Sequence, residues 1–331
     1  MKSRALRYPW LLSVLILASV MAGPAVAEPP REDTAAASPR LQYLPKDYWL
    51  VAELDAGTVM KFVALAGAQA NNPQVAQLLQ YLEMAKTFTG IDLEKELDWI
   101  TVFAAGNVGD DAKFLAVAQG SFDNDKVVKQ LKKSLNDSTE KTYKKHTIYS
   151  TPKADLCFPK ASTILIGDAG LVRGAIDKLD DEKDTVPKSL KSVLAHTPGK
   201  AFVWAAVQPQ VLLEQKELAD WRKDNAELYG ALKKIECISI SFDMAQDGLL
   251  IKGLGYAAPD QAKSVYEYLS NRKKTILHEE GTNILFVSLL ILSEIKMNDT
   301  FIEGSFRLTG EALQQLWGTK LIVKPKAGGS K

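Results

Sequence analysis

Three histidines are the first residues to weigh as catalytic groups or metal ligands: His146, His196 and His278. They are far apart in the sequence, and none belongs to a His-x-x-x-His pair. His278-Glu279-Glu280 lacks the second histidine that a zinc protease motif requires. The sequence therefore predicts no metal site, and a histidine-based catalytic site would have to be assembled from residues that are distant in sequence.

No short motif indicates a cofactor. Gly167-Asp168-Ala169-Gly170 lies between a predicted strand and a predicted helix, as a phosphate-binding turn does, but it lacks the glycine spacing and the lysine. Asp168 would also repel a phosphate, so we interpret this stretch as a helix start. The carboxylate pairs Asp110-Asp111 and Asp180-Asp181 fall in predicted turns, whereas acid/base chemistry needs carboxylates in unequal, partly buried settings. We predict no cofactor.

Cys157 and Cys237 are the two cysteines of the chain. They are a candidate disulfide, which would close a long loop and stabilise the fold by roughly 4 kcal/mol. The alternative is that each is a small buried residue, since Cys237 falls in a predicted strand. The sequence leaves both alternatives open.

Residues 1–27 have the three parts of a secretory signal peptide: a basic head, an apolar run over residues 10–21, and the small residues Ala25-Val26-Ala27 at a cleavage site. The apolar run is too short to span a bilayer comfortably. We therefore predict an exported protein, periplasmic or extracellular, with no membrane span after cleavage. Residues 28–42 are polar and rich in proline and alanine, which predicts a flexible leader.

The charge balance excludes two classes of partner. The chain carries 41 Lys and Arg against 40 Asp and Glu, and cleavage would remove three of the basic residues and none of the acidic ones. A chain this close to neutral is typical neither of nucleic-acid binders nor of polybasic membrane binders. The remaining partners are an unknown protein or an apolar small molecule.

The clearest structural pattern is residues 235–269, which predict a strand, a turn at Asp247-Gly248, a second strand, and a helix opened by Pro259. The first strand alternates apolar residues with small polar ones. We expect its apolar side to face a core and its other side to make small polar contacts. The apolar side consists of Ile238, Ile240 and Phe242, and the polar side of Cys237, Ser239 and Ser241.

Residues 97–135 repeat this order, with Asp123 placed to cap the helix. Apolar first strands precede both units, and they hold Trp49 and Trp204, which we expect in the core. We therefore predict an α+β fold made of two tandem copies of a mainly antiparallel sheet backed by helices. The first copy spans residues 43–183, the second 184–323, and 324–331 form a tail.

The run Ile284–Leu292 is strongly apolar but too short to cross a membrane as a helix. It could line a site for an apolar ligand, although a core segment of the second copy is the interpretation that we favour.

The pattern of residues 43–62 and 97–135, with its echo at 196–215 and 235–269, resembles a loose group of uncharacterised bacterial exported proteins. In that group a signal peptide precedes tandem α+β units, and a strand such as WITVFAAG is followed by one such as KFLAVAQGSF and a helix. The resemblance implies export and a duplicated fold, and it implies no activity or site.

Two hypotheses on function follow. The first is a non-catalytic exported binding or structural protein, with a partner or an apolar ligand held between the two copies. The alternative is an exported hydrolase whose site is assembled from residues distant in sequence.

Overall fold

Helices are interspersed with groups of consecutive strands along the chain in a computed structural model. The structure describes residues 38–60, 80, 83, 86–87, 89–108, 111–134, 138–152, 154–180, 186–197, 201–215, 218–245, 248–275 and 294–309. The strands are β1 Tyr48–Asp55, β2 Leu97–Ala105, β3 Lys113–Gly120, β4 Thr139–Tyr143, β5 His146–Ser150, β6 Asp155–Lys160, β7 Thr163–Gly167, β8 Val203–Val207, β9 Cys237–Ala245, β10 Gly248–Tyr256, β11 Glu294–Asn298 and β12 Phe301–Thr309. The helices with defined bounds are α1 Asn124–Ser134, α2 Ala169–Asp177, α3 Lys188–Ala195, α4 Pro209–Leu213, α5 Ala219–Asp224, α6 Ala226–Leu232 and α7 Pro259–Thr275.

These strands form one antiparallel sheet in the order β11-β12-β10-β9-β8-β1-β2-β3-β7-β6-β5-β4. The predicted α+β class with an antiparallel sheet is therefore confirmed. From the centre of the sheet outward, the first half has the strands β1, β2, β3 and β7, and the second half has β8, β9, β10 and β12. In each half the first three of these strands are consecutive in the chain, and a helix follows the third one. This common order supports the two tandem copies, which stay a prediction.

The two predicted copies meet through main-chain hydrogen bonds at the centre of the sheet. β1 and β8 are antiparallel, and the residue pairs run from Leu50 with Val207 to Leu54 with Val203. The junction is thus a pair of strands within a continuous sheet, and it is not a cleft between two separate bodies.

The first face of the sheet carries a core that both halves share. Val51, Phe103 and Leu115 from the first half pack in one cluster with Trp204 and Cys237 from the second half. The covering elements are a 3₁₀ turn at Pro39–Tyr43, α2 and α3, whose buried residues belong to the same cluster. A single apolar layer therefore joins the halves on this face.

The second face is covered separately in each half. Val127 and Leu131 of α1 pack on Leu97 and Ile164 in one cluster, and Val265 of α7 packs with Ile302 in another cluster. Both helices begin as predicted. The Asp123 carboxylate accepts a hydrogen bond from the Asp125 amide at 2.9 Å, and Pro259 is the first residue of α7.

Both sides of β9 contact a core, whereas the alternation predicted a core on one side. On the apolar side, Phe242 is 5% exposed and the half-buried Ile238 packs on the cluster of Val265. On the other side, Ser239 and Ser241 are 1% and 2% exposed. The serines lie on the first face, where α3 packs against β9 and β10. Small side chains let a helix approach a strand closely, so they can be more deeply buried than larger apolar neighbours.

Two other expectations need adjustment. The predicted flexible leader, residues 28–42, includes Arg40 and Leu41, which are buried in the 3₁₀ turn. Gly248, predicted in the turn with Asp247, already belongs to β10 and pairs with Ala245. The run Ile284–Leu292 and the tail 324–331 lie outside the described residues.

Candidate functional site

A row of small apolar residues crosses the second face where the two halves meet. The register places one residue from each of seven neighbouring strands side by side. We call this row the central band, and its members are Ala116, Val102, Ala52, Ala205, Ile240, Gly253 and Gly304. Seven strands at the usual spacing give the band a length of about 29 Å.

Each residue of the central band is half-buried. The band lies outside the two clusters that α1 and α7 cover on this face. Gly253 and Gly304 are directly paired, and a Cβ atom on Gly304 would have no atom of the described residues within 4 Å. Leu50 and Val207 form part of the adjoining row and are also half-buried. Within the described part of the chain, the centre of this face is therefore apolar and nothing lies directly above Gly304.

The first face holds a buried polar cluster around Glu53, which sequence reasoning missed. Glu53 is 3% exposed and Arg40 is 9% exposed. Arg40 donates to both carboxylate oxygens, from Nη2 to Oε1 at 2.6 Å and from Nε to Oε2 at 2.9 Å. Ser38 and Thr101 donate to Oε2 at 2.9 and 3.0 Å. Arg40 also lies over the Trp99 ring, 4.7 Å from its centroid.

This cluster is fully paired, so it is an anchor and not a reactive site. Its bonds fix the N-terminal turn onto β1 and β2, and Arg40 Nη1 reaches the Gln119 Oε1 atom of β3 at 3.3 Å. The signal that could have found it is the acidic residue in the apolar strand YWLVAEL, because a buried carboxylate requires a partner.

The described histidines do not lie in a shared site. His146 begins β5, near the edge of the sheet, and is half-buried. His196 follows α3, where its Nδ1 atom lies 2.9 Å from the Ser192 carbonyl oxygen and its ring stacks on Phe301 at a centroid distance of 4.0 Å. His278 lies outside the described residues. Within the described ranges, no three His, Cys, Asp or Glu side chains form a metal-binding group.

The structure also places the tryptophans, the glycine stretch and the carboxylates that the sequence analysis singled out. Trp49 and Trp204 are buried, as predicted. α2 begins at Ala169, so the stretch from Gly167 to Gly170 is the helix start that we predicted. Asp168 accepts a hydrogen bond from the Phe114 amide at 2.7 Å. Asp111 is exposed in a turn, whereas Asp110 and Asp181 lie outside the described residues.

Comparisons with known proteins give no family. No family model matches the chain, and no curated protein matches it. Three solved structures are similar to the chain at a TM-score of 0.42: crystal forms III, IV and I of TP0453. Form III is 8% identical over 88% of this chain and 99% of that chain, form IV is 8% identical over 84% and 96%, and form I is 9% identical over 88% and 97%. This likeness is too distant to assign a family.

None of the helices in the described part of the chain is long and apolar enough to cross a membrane.

The candidate disulfide is not formed in the structure. Cys157 in β6 and Cys237 in β9 are free and buried thiols, and five strands lie between β6 and β9 in the sheet. Neighbouring strands are about 4.8 Å apart, whereas a disulfide needs Cα atoms within about 7 Å. Both cysteines are small core residues, which was the alternative interpretation.

Both thiols should be unreactive in the folded chain. Burial raises the pKa of Cys157 to about 11 and that of Cys237 to about 12, so little of the reactive thiolate exists at neutral pH. We expect Ellman's reagent at pH 8 to label neither cysteine quickly in buffer and to label both at once in denaturant. Fast labelling in buffer, or no labelling in denaturant without a reductant, would contradict this.

The same shifts set an alkaline limit on stability. The pKa values of the Cys157 and Cys237 thiols are higher in the folded chain than the ordinary value of 9.0. The folded state therefore holds the thiol protons more tightly than the unfolded state does, and the resulting contribution to folding stability is fully present below pH 9. This contribution is lost as the pH rises from about 9 to about 12.

Proposed function

We propose that this chain is an exported, non-catalytic binding protein that holds an apolar ligand on the second face, across the junction of the two halves. The observation that carries this proposal is the central band, a half-buried apolar row that crosses the β1–β8 pair. Export rests on the features of residues 1–27 in the sequence.

The chemistry of the band favours an apolar ligand over a polar one. Its side chains are aliphatic or absent, so they offer no side-chain hydrogen-bond donor or acceptor. The strands present their main-chain groups to one another within the sheet, which leaves dispersion and the hydrophobic effect as the available attractions. Burial of apolar surface is worth about 25 cal/mol per Å².

Binding of a neutral fluorescent probe tests this proposal. We expect residues 28–331 to bind N-phenyl-1-naphthylamine with an increase in its fluorescence. Ala205→Phe places a large side chain in the middle of the band and should weaken binding roughly tenfold, equivalent to about 1.4 kcal/mol. Ala195→Phe, at an exposed position at the end of α3, is the matched control and should bind as the original chain does.

Two results would contradict the proposal. One is the absence of probe binding by the original chain when its circular dichroism shows it to be folded. The other is unchanged binding by a folded Ala205→Phe variant. If neither result is found, mass spectrometry of an organic extract of the purified protein would identify a natural ligand.

A further inference from the structure

The strand β11 forms one edge of the sheet, and its outer side is open in the described part of the chain. β11 pairs with β12 on its inner side, and no other described strand pairs with it. Met297 in this strand is 39% exposed, and it is the one large apolar side chain that is exposed among the described residues. An edge strand of this kind can pair with another strand through its main chain.

The hairpin of β11 and β12 determines which main-chain groups point outward. Asn298 and Phe301 flank its two-residue turn, so they form a hydrogen-bonded pair, and such pairs alternate along an antiparallel ladder. The residues between the hydrogen-bonded pairs, Ile295 and Met297, therefore direct their N–H and C=O groups to the outer edge of the sheet. A further strand could donate to these groups and accept from them.

The two sides of β11 differ in chemistry. Ile295 packs on the cluster that α7 covers on the second face, and Met297, two positions further, lies on the same side of the strand. Glu294 and Lys296 lie on the other side, where the Lys296 Nζ atom is 3.0 Å from the Glu294 Oε1 atom and both side chains are exposed. The edge is thus apolar on one side and carries one negative and one positive charge on the other.

We propose that β11 pairs with β11 of a second copy of this chain, antiparallel about a two-fold axis at Ile295. In this register the outward main-chain groups of the two Ile295 residues bond to each other. Glu294 of each copy lies opposite Lys296 of the other copy, so two pairs of opposite charge form on one side of the joined sheets. On the other side, Met297 of each copy lies diagonal to Ile295 of the other and loses part of its exposure.

The charges favour this register over its neighbours. A shift that places Ile295 opposite Met297 sets the two Lys296 side chains against each other, and like charges directly opposite destabilise a strand pair. A shift centred on Met297 places Lys296 opposite Asn298, without an opposite charge. Pairing at Ile295 uses the same edge of both copies, so the contact closes at two copies. It is much shorter than a standard interface, so the dimer is weak, with a Kd on the order of 10⁻⁴ M.

Sedimentation equilibrium of residues 28–331, from about 10 μM to about 1 mM, tests the pairing. The original chain should show a monomer–dimer equilibrium. Lys296→Glu sets like charges against each other at both symmetric positions and should weaken the dimer roughly tenfold, as should Glu294→Lys. Lys141→Glu is the matched control, because Lys141 is the exposed central residue of β4 at the opposite edge of the sheet. This control should dimerise as the original chain does.

A mixture of the two variants tests the register. At the edge, Lys296→Glu chains carry two negative charges and Glu294→Lys chains two positive ones, so the mixed pair is complementary and should restore the dimer. Four outcomes would overturn the proposal: a monomer at all concentrations of the original chain, an equal dimer in Lys296→Glu, an equal loss in Lys141→Glu, or no dimer in the mixture.

Circular dichroism should show that both single variants fold, since exposed ion pairs add little to stability. If either does not fold, the double variant Glu294→Lys with Lys296→Glu takes their place. It exchanges the two charges and keeps the complementarity, so it should dimerise as the original chain does. A double variant that is folded and monomeric at all concentrations would also overturn the proposal.

Discussion

Replacement of Arg40 with methionine is expected to lower the free energy of unfolding by about 3–5 kcal/mol, because it leaves the Glu53 carboxylate buried without a counter-charge. Methionine keeps much of the length and apolar character of the side chain, so the main loss is the charge and its hydrogen bonds to Glu53. Urea unfolding followed by circular dichroism measures the change without the screening that a guanidinium salt would add.

A double variant separates charge from packing. Arg40→Met with Glu53→Gln removes both charges, and such replacement of a whole buried pair is often close to neutral. We therefore expect the double variant to recover much of the stability that Arg40→Met loses. A double variant that is less stable than Arg40→Met alone would show that the pair is not the cause.

A surface pair with the same separation is the matched control. Lys132 Nζ lies 2.6 Å from Glu140 Oε1, the distance found between Arg40 and Glu53, but those two side chains are 50% and 52% exposed. Exposed ion pairs add little to stability because water solvates the separated charges well. Lys132→Met should leave the urea midpoint almost unchanged. An equal loss of stability in Lys132→Met and Arg40→Met would show that burial of the ion pair does not determine its contribution.

Gly120→Ala is expected to destabilise the chain by about 3 kcal/mol, because the new methyl group has no space. A Cβ atom at Gly120 would lie 1.9 Å from the Glu96 carbonyl oxygen and 2.9 Å from the Leu97 Cα atom. Both obstacles are main chain, and the Glu96 carbonyl accepts a hydrogen bond from the Ser121 amide at 2.8 Å. Relief of the clash would have to break this local pairing.

Gly304→Ala is the matched control for Gly120→Ala. Both glycines lie in strands, but a Cβ atom at Gly304 would meet no atom of the described residues within 4 Å. Since glycine in a strand loses more backbone entropy on folding than alanine does, this variant should gain up to about 1 kcal/mol. Urea midpoints that move in the same direction for the two variants would contradict the claim that a methyl group fits at Gly304 and does not fit at Gly120.

The class of the fold could be predicted from the sequence, because alternation and turn residues are local signals. The hairpin of β9 and β10 and the helix beginning at Pro259 are examples, and the structure confirms both. The burial of the serine side of β9 could not be predicted. It depends on where α3 packs, and the alternation of isoleucine with serine does not show whether the serine side is covered as well.

The candidate sites were harder to predict because they depend on register between distant strands. The central band places Ala52, Ala205 and Gly304 side by side although the chain separates them widely. Arg40 was assigned to a flexible leader from composition alone, yet its partner Glu53 fixes it in the core.

The pairing of β1 with β8 also has a consequence for the order of assembly. Val51 lies opposite Phe103 of β2 on one side and opposite Ala206 of β8 on the other, and the second of these partners is made much later during synthesis. Until β8 emerges, the nascent first half has an apolar strand with an unsatisfied edge, which is the kind of surface that aggregates. Contacts so distant in sequence also slow folding. The newly made polypeptide therefore needs protection over this interval, which ends when the middle of the sheet closes.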